Sequence, residues 1–347
     1  MIPPRRIVIV HTAFIGDIVL ALPLAQFLRD RFAQAWIAFV AIPAAAAVLE
    51  NHPAVDEVLV FDKKEKDRGL KGVLNLVRLL KSRGFDTAVV PHRSLRSAML
   101  VFLSGISRRI GFSKSAGKLL FTDVVHYDSH MHEIERNLNL AAPLVDHPPE
   151  FVLPRLYPDT QDVRSVDEVL TEVDTTNMIA VAPGSVWNTK RWPVEKYKEL
   201  CGLLSRQGFH TVLVGGPADA ELCKDIGRSI NQDRVLSVAG KLSLLQSAEI
   251  IGRCRAIISN DSAPMHLGVS MRTPVVAIYG STIPGFGFAP RGEHDAVVEI
   301  NGLECRPCSI HGRTACPIGT FVCMTSIQPD VVLAKLLSVL ASGKPNQ

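Results

Sequence analysis

The stretch IVIVHTAFIGDIVLALP, residues 7–23, decides the fold. Four β-branched residues read as a buried strand, and the apolar run after Asp17 reads as a helix. Between them lies a turn with Gly16, which lets the backbone fold closely, and Asp17, a lone carboxylate at the helix start. Two readings of Asp17 stand at this point: a cap for the free N–H groups of the helix, or a base placed at the carboxyl end of a strand.

Outward from this unit the same rhythm repeats. Apolar runs near 36–41, 57–61, 87–91 and 108–111 read as strands, with helical patterns near 17–31, 43–50, 70–83 and 94–104. Strands alternating with helices predict a parallel, doubly wound sheet. Pro143, Pro148, Pro149, Pro154 and Pro158 then break the rhythm, as prolines break any regular element. It restarts with strands near 178–182, 211–215, 235–238, 256–259 and 275–279, and a last helix near 329–341. The expectation is an α/β chain of two Rossmann-like domains facing a cleft: 1–155 for an acceptor, a linker at 156–176, 177–328 for a nucleotide sugar, and a helix and tail at 329–347.

The 347 residues are 47% hydrophobic and 21% charged, a globular composition. Aromatics at 6% argue against a base-stacking nucleic-acid surface. The net charge of +4 hides an asymmetry. Residues 61–120 hold 14 Lys and Arg against 4 Asp and Glu, so this window is +10 and the remainder −6. Such a window fits an anionic partner or, more blandly, two solvated helix faces. No apolar run reaches the ~18 residues of a membrane span. Asp17 inside the first apolar stretch, and no small-residue cleavage site, argue against a signal peptide. Seven cysteines fit a reducing compartment. The expectation is a cytoplasmic protein docking on a membrane surface.

Ligands of open parallel sheets bind beyond the carboxyl ends of strands, so the loops there are the candidates. APGSVWNTKRWP, 182–193, gathers Ser185, Thr189, Lys190 and Arg191 before a helix start, a cradle for an anion. It lacks the Walker A spacing, and no G-x-G-x-x-G follows the first strand. VGGPADAE, 214–221, offers Asp219 or Glu221 to ribose hydroxyls, or is a plain tight turn. SNDSAPMHLGVS, 259–270, opens a helix with Asp261, Ser262 and His266, either a donor site or a capped helix with a core histidine. YGSTIPG, 279–285, adds Ser281 and Thr282. Together they read as a site for a nucleotide diphosphate, as in a two-domain glycosyltransferase.

These residues resemble a known family. IVIVHTAFIGDIVLALPLAQFLRDRFAQAWIAFV, PGSVWNTKRWP, NDSAPMHLG and YGSTIPG, in this order, are similar to signatures of the lipopolysaccharide heptosyltransferases, glycosyltransferase family 9, over residues 5–340. PHRSLRSAML (91–100) and CRPCSIHGRTACPIGTFVCM (305–324) look most like the heptosyltransferase II branch. The resemblance implies a GT-B fold, an ADP-heptose donor, inversion at the anomeric carbon, and no required cofactor or metal. Asp17 would be the general base, and Lys190 with Thr189 would bind the donor phosphates. Asp261 and His266 would line the donor site. The acceptor would be a lipid A–Kdo–heptose precursor at the inner membrane surface, met by His11, Arg93, Arg96 and Arg136. The chain departs from the family at His11, where Lys or Arg is frequent, at Ala13 and Phe14, where Ser is frequent, and at Ala263, where Gly is usual.

Cys305, Cys308, Cys316 and Cys323 fall within 19 residues, with one C-x-x-C spacing. They suggest a structural metal site or a set of reduced thiols; Cys201, Cys223 and Cys254 read as small core residues. Other readings are the same fold with another nucleotide sugar or glycan acceptor, a non-catalytic sugar-nucleotide or lipid-binding protein, and a metal-bearing oxidoreductase without a nicotinamide fingerprint.

Overall fold

The computed structural model describes residues 3–147, 149–171, 173–230 and 232–342; Pro148 and the expected tail 343–347 lie outside them. The chain divides into two compact units, Met1–Tyr157 and Pro158–Gln347.

The first unit holds strands β1 (Arg6–Val10), β2 (Trp36–Ala41), β3 (Glu57–Val60), β4 (Thr87–Val90), β5 (Arg108–Phe112) and β6 (Asp123–Val125), with helices α1 (Ile15–Arg31), α2 (Pro43–Ala46), α3 (Gly69–Arg83), α4 (Leu95–Leu103) and α5 (Glu133–Asn139). The second holds β7 (Met178–Ala182), β8 (His210–Leu213), β9 (Val235–Ser237), β10 (Ala256–Asn260), β11 (Val275–Tyr279) and β12 (Ala296–Glu299). Its helices are α6 (Thr160–Leu170), α7 (Val194–Arg206), α8 (Ala220–Arg228), α9 (Leu244–Gly252), α10 (Ala263–Ser270), α11 (Val322–Thr325) and α12 (Pro329–Ser342).

Both sheets are fully parallel, in the orders β3-β2-β1-β4-β5-β6 and β12-β11-β10-β7-β8-β9. Renumbered within its unit, the second order is the first: each is 3-2-1-4-5-6, the doubly wound Rossmann order. Helices cover both faces, so the central strands carry no polar face. Ile7 to Val10 and Met178 to Val181 are wholly buried, as parallel strands require. The order reverses between β1 and β4 in one unit and between β7 and β10 in the other, and those switch points are where ligands of this fold bind.

Two segments differ from expectation. The stretch 156–176, expected as a linker, carries α6, started by Asp159, whose Oδ1 accepts from Gln161 N and Asp162 N at 2.8 and 2.9 Å. Val166 and Leu170 are buried, and Asp167 pairs with Arg253, just past α9, at 2.6 Å. Residues 329–342 likewise belong to the second unit's core, because Val332, Leu336 and Val339 of α12 are buried in one cluster with Tyr197, Leu200 and Leu204 of α7.

Candidate functional site

At the first unit's switch point, β1 runs into residues 11–14 and then α1. Asp17 is the third residue of α1, and its Oδ2 accepts the N–H of Phe14 at 3.1 Å. It therefore does cap the helix, as the carboxylate half of a capping box. A carboxylate has about four lone-pair sites, so capping leaves capacity for a proton.

The loops after β1, β3 and β4 bring a set of basic groups together at the same switch point. Lys63 Nζ donates to Thr12 O at 2.6 Å. His92 Nδ1 lies 3.1 Å from Thr12 Oγ1 and 2.9 Å from Ser97 Oγ. His11 is only 4% exposed, and its ring stacks on His92 at 5.8 Å between centroids. Burial, then the charges of His92, Lys63 and Arg93, hold His11 down at about 3. Burial first, then Lys63, Arg93 and Arg96, holds His92 at about 4. Both rings are thus neutral near pH 7, while Lys63, Arg93 and Arg96 crowd their positive charge there. Lys63 is itself lowered, by burial first and then by Arg96 and Lys64.

Arg136 does not join that group. It is 2% exposed, its Nη1 lies 3.1 Å from Glu133 Oε2, and it also bonds Tyr127 Oη. Its guanidinium is turned inward, so the expected acceptor contact gives way to a buried ion pair in α5. Arg93, at 4.4 Å, and Arg136, at 5.0 Å, both lie on the Tyr127 ring.

The second unit's switch point holds a denser network. Lys190 Nζ meets Asp261 Oδ2 at 2.7 Å, and Thr282 Oγ1 donates to the same oxygen at 2.7 Å. Ser281 Oγ donates to Thr189 Oγ1 at 3.0 Å. Loops after β7, β10 and β11 thus converge, which is why polar residues far apart in sequence meet here. Asn260 ties them: its Oδ1 accepts from Trp192 N and Tyr197 Oη, and its Nδ2 donates to Pro183 O at 2.8 Å. Ser185 is buried, with its carbonyl held by Arg191 Nε at 2.7 Å. Asp219 packs on Gly184 so closely that a Cβ there would lie 2.2 Å from its Oδ1, and its Oδ2 accepts Gly216 N at 3.0 Å. Ser262 heads α10, its hydroxyl 3.4 Å from Asn260 O, and His266 is buried one turn on. Glu221 stands apart, its side chain 87% exposed beside Lys224 on α8.

Two arginines that the motifs did not single out brace this cluster. Arg313 N donates to Thr189 Oγ1 at 2.7 Å and its carbonyl accepts Thr189 N at 3.1 Å. Arg306 Nη2 donates to Thr282 O at 2.7 Å and pairs with Glu299. Both lie in the cysteine-bearing loop, so that loop supports the anion cradle. A groove of about 340 Å³, lined by Trp187, Gly312, Arg313 and Cys316 among others, runs beside it. Cys305, Cys308 and Cys316 are partly exposed and Cys323 is buried, all as free thiols. Among the described residues, no three His, Cys, Asp or Glu side chains form a group suited to hold a metal ion. Cys201, Cys223 and Cys254 are buried, and desolvation pushes each thiol up to about 12, in keeping with small core residues.

Two Rossmann-order units, one with a helix-start carboxylate and the other with a lysine–hydroxyl anion cradle, are the parts of a GT-B glycosyltransferase. The profile of glycosyltransferase family 9 (heptosyltransferase) matches residues 73–316, and the chain belongs to that family. It is 27% identical to lipopolysaccharide heptosyltransferase 2 of Salmonella typhimurium, over 97% of this chain and 99% of that one. Among solved structures, a family 9 glycosyltransferase from Veillonella parvula superposes with a TM-score of 0.88 at 24% identity, covering 98% of both chains. The E. coli ADP-heptose LPS heptosyltransferase II superposes at 0.79 with 26% identity, covering 97% of this chain and 98% of that one. Among the described residues no helix is long and apolar enough to cross a membrane.

Proposed function

We propose that this glycosyltransferase moves a heptose from ADP-L-glycero-D-manno-heptose to the heptosyl-Kdo inner core of a lipid A precursor, with inversion, on the inner face of the cytoplasmic membrane. The observation that carries the reading is the paired occupation of two equivalent switch points: Asp17 in one unit, and Lys190 with Thr189, Asp261, Ser281 and Thr282 in the other. Its relatives, lipopolysaccharide heptosyltransferase 2 of two enterobacteria and the E. coli ADP-heptose LPS heptosyltransferase II, support the donor and the lipopolysaccharide acceptor.

The acceptor hydroxyl gives its proton to the Asp17 carboxylate as its oxygen attacks the anomeric carbon from the face opposite the diphosphate. The C1–O bond breaks, and its electron pair leaves on the β-phosphate of ADP. That oxygen gains charge in the transition state, and fixed donors aimed at it lower the barrier. Lys190 has three N–H donors, of which Asp261 takes one, so the pair holds the ammonium in place while leaving donors for phosphate. The Thr189 and Ser281 hydroxyls, locked to each other and to Arg313, add a neutral wall. Lysine, hydroxyls and backbone supply the charge a diphosphate leaving group needs, so no cofactor or metal enters the scheme. Lys63, Arg93 and Arg96 present cations to the carboxylates and phosphates of the acceptor.

The test is ADP release from ADP-heptose with heptosyl-Kdo lipid A, comparing wild type with Asp17→Asn. The asparagine keeps shape but cannot take the proton, so release falls by ~10²–10⁴, the worth of a positioned base. Wild-type release that ignores the acceptor, or an Asp17→Asn enzyme with full activity, would sink the mechanism. Activity with a different sugar nucleotide would keep the mechanism and replace the donor.

A further inference from the structure

Helix α4 shows an apolar face to solvent. Leu95, Met99, Phe102 and Leu103 are all exposed, at spacings of 4, 3 and 1 that put them on one side of the helix. The opposite side, Ala98, Leu100 and Val101, is buried against the sheet. Leu119, 91% exposed, extends this face, because its turn packs on α4: a Cβ on Gly117 would meet Ala98 Cβ at 2.4 Å and Leu95 Cδ1 at 3.3 Å. Leu70 and Leu74 on α3 are exposed as well, and α3 is joined to α4 where Ser104 Oγ donates to Val77 O.

The same surface is basic. Arg96 follows Leu95 on the exposed side, the Arg109 guanidinium lies 5.5 Å from the Phe102 ring, Lys118 precedes Leu119, and Lys71 follows Leu70. Eight of the nineteen exposed large hydrophobic side chains among the described residues fall within 61–120, the window that carries the +10 excess. Nucleic acid would account for the cations and leave the leucines without a partner. A solvated face would account for neither the leucines nor the phenylalanine. Apolar side chains ringed by Lys and Arg are what an anionic bilayer surface binds, the former entering the acyl boundary and the latter meeting the headgroups.

We infer that the exposed face of α4, with the 118–120 turn and the start of α3, docks this protein on an anionic phospholipid bilayer. The inference deepens the lipid-anchored acceptor proposed above and rests on it for its purpose. Ser94 caps α4 directly after His92 and Arg93, so the docking face begins where the candidate acceptor site ends. An acceptor whose lipid chains stay in the bilayer would then present its sugars to the 92–96 end of that helix.

The experiment is co-sedimentation of the full chain with vesicles of phosphatidylethanolamine and phosphatidylglycerol, against vesicles of phosphatidylcholine, without acceptor or donor. Wild type partitions to the anionic vesicles and is released by salt. A Met99→Ser/Phe102→Ser/Leu119→Ser variant keeps its unfolding midpoint, since these side chains are exposed. It loses partitioning by tenfold or more, as each apolar side chain contributes on the order of tenfold when buried. Its kcat/KM on a deacylated, water-soluble acceptor stays within about twofold. Equal partitioning of wild type and variant, or of wild type to both vesicle types, overturns the inference. So does a wild-type dimer in sedimentation without lipid that the variant dissolves, which would make the face a contact between copies. A wild type that binds vesicles but releases no ADP would sink the enzymatic reading alone.

Discussion

His11 stands at the carboxyl end of β1 with neither ring nitrogen hydrogen-bonded among the described residues. Where the family resemblance leads one to expect a cation, this chain has a buried neutral ring, and Lys63, Arg93 and Arg96 bring positive charge to it and to His92. The folded protein keeps His11 at about 3 and His92 at about 4, against 6.5 in the unfolded chain. Between those values the unfolded chain binds more protons, so stability rises with pH there. It is full above about pH 6.5 and is lost as pH falls toward 4. At pH 5 each neutral ring costs ~2 kcal/mol relative to pH 7. His11→Leu removes one of them and, having no partner to strand, should shrink the fall in urea-unfolding stability from pH 7 to pH 5 by ~2 kcal/mol. An unchanged fall would mean that His11 is protonated in the folded state.

At the scale of elements, α5 supports the first half of α1. Asn137 Nδ2 donates to Leu20 O at 3.1 Å, next to the Val19 carbonyl, which lacks its helical donor because Pro23 has no N–H. Burial outweighs Arg136 and raises the Glu133 carboxyl, and the charge of Asp17 raises it further. Removing one partner of such a pair leaves a buried charge alone. Arg136→Met should therefore cost ~3–5 kcal/mol in urea unfolding, and adding Glu133→Leu should recover most of it. A single variant as stable as wild type would mean that the pair is solvated. This element was not legible: the resemblance offers Arg136 as an acceptor contact, and only tertiary packing turns it inward. The central strands were legible because strands buried on both faces are unbroken apolar runs. The edge strands β6 and β12, three and four residues long and only partly buried, were not read from the sequence. Asp17, Lys190 and Asp261 stood out as candidates because each lies in the connection that follows an apolar strand. Arg306 and Arg313 did not, since they reach Thr282 and Thr189 through a long irregular loop whose path no local pattern encodes.

At the scale of the molecule, one fold occurs twice with different loops, and the two copies carry different optical reporters. Of the three tryptophans, Trp36 lies in the first unit and is exposed, whereas Trp187 and Trp192 lie in the second, with Trp192 buried against Tyr197 at 4.9 Å. Its indole donates to Ile327 O at 3.2 Å and its backbone N–H to Asn260 at 3.1 Å, so its emission follows the integrity of the polar network at the second switch point. A ligand that binds only the folded form stabilises it by about 2.7 kcal/mol at a hundredfold excess over Kd. ADP at that excess should raise the fluorescence-detected unfolding midpoint, while the part of the far-ultraviolet dichroism that belongs to the first unit melts where it did before. With Lys190→Ala the ADP shift should shrink to a small fraction, because the alanine removes the ammonium that Asp261 holds in place. Equal shifts in both signals would show that the units unfold as one cooperative block. An ADP shift undiminished by Lys190→Ala would move the diphosphate away from the β7–β10 switch point and take with it the role assigned to that lysine.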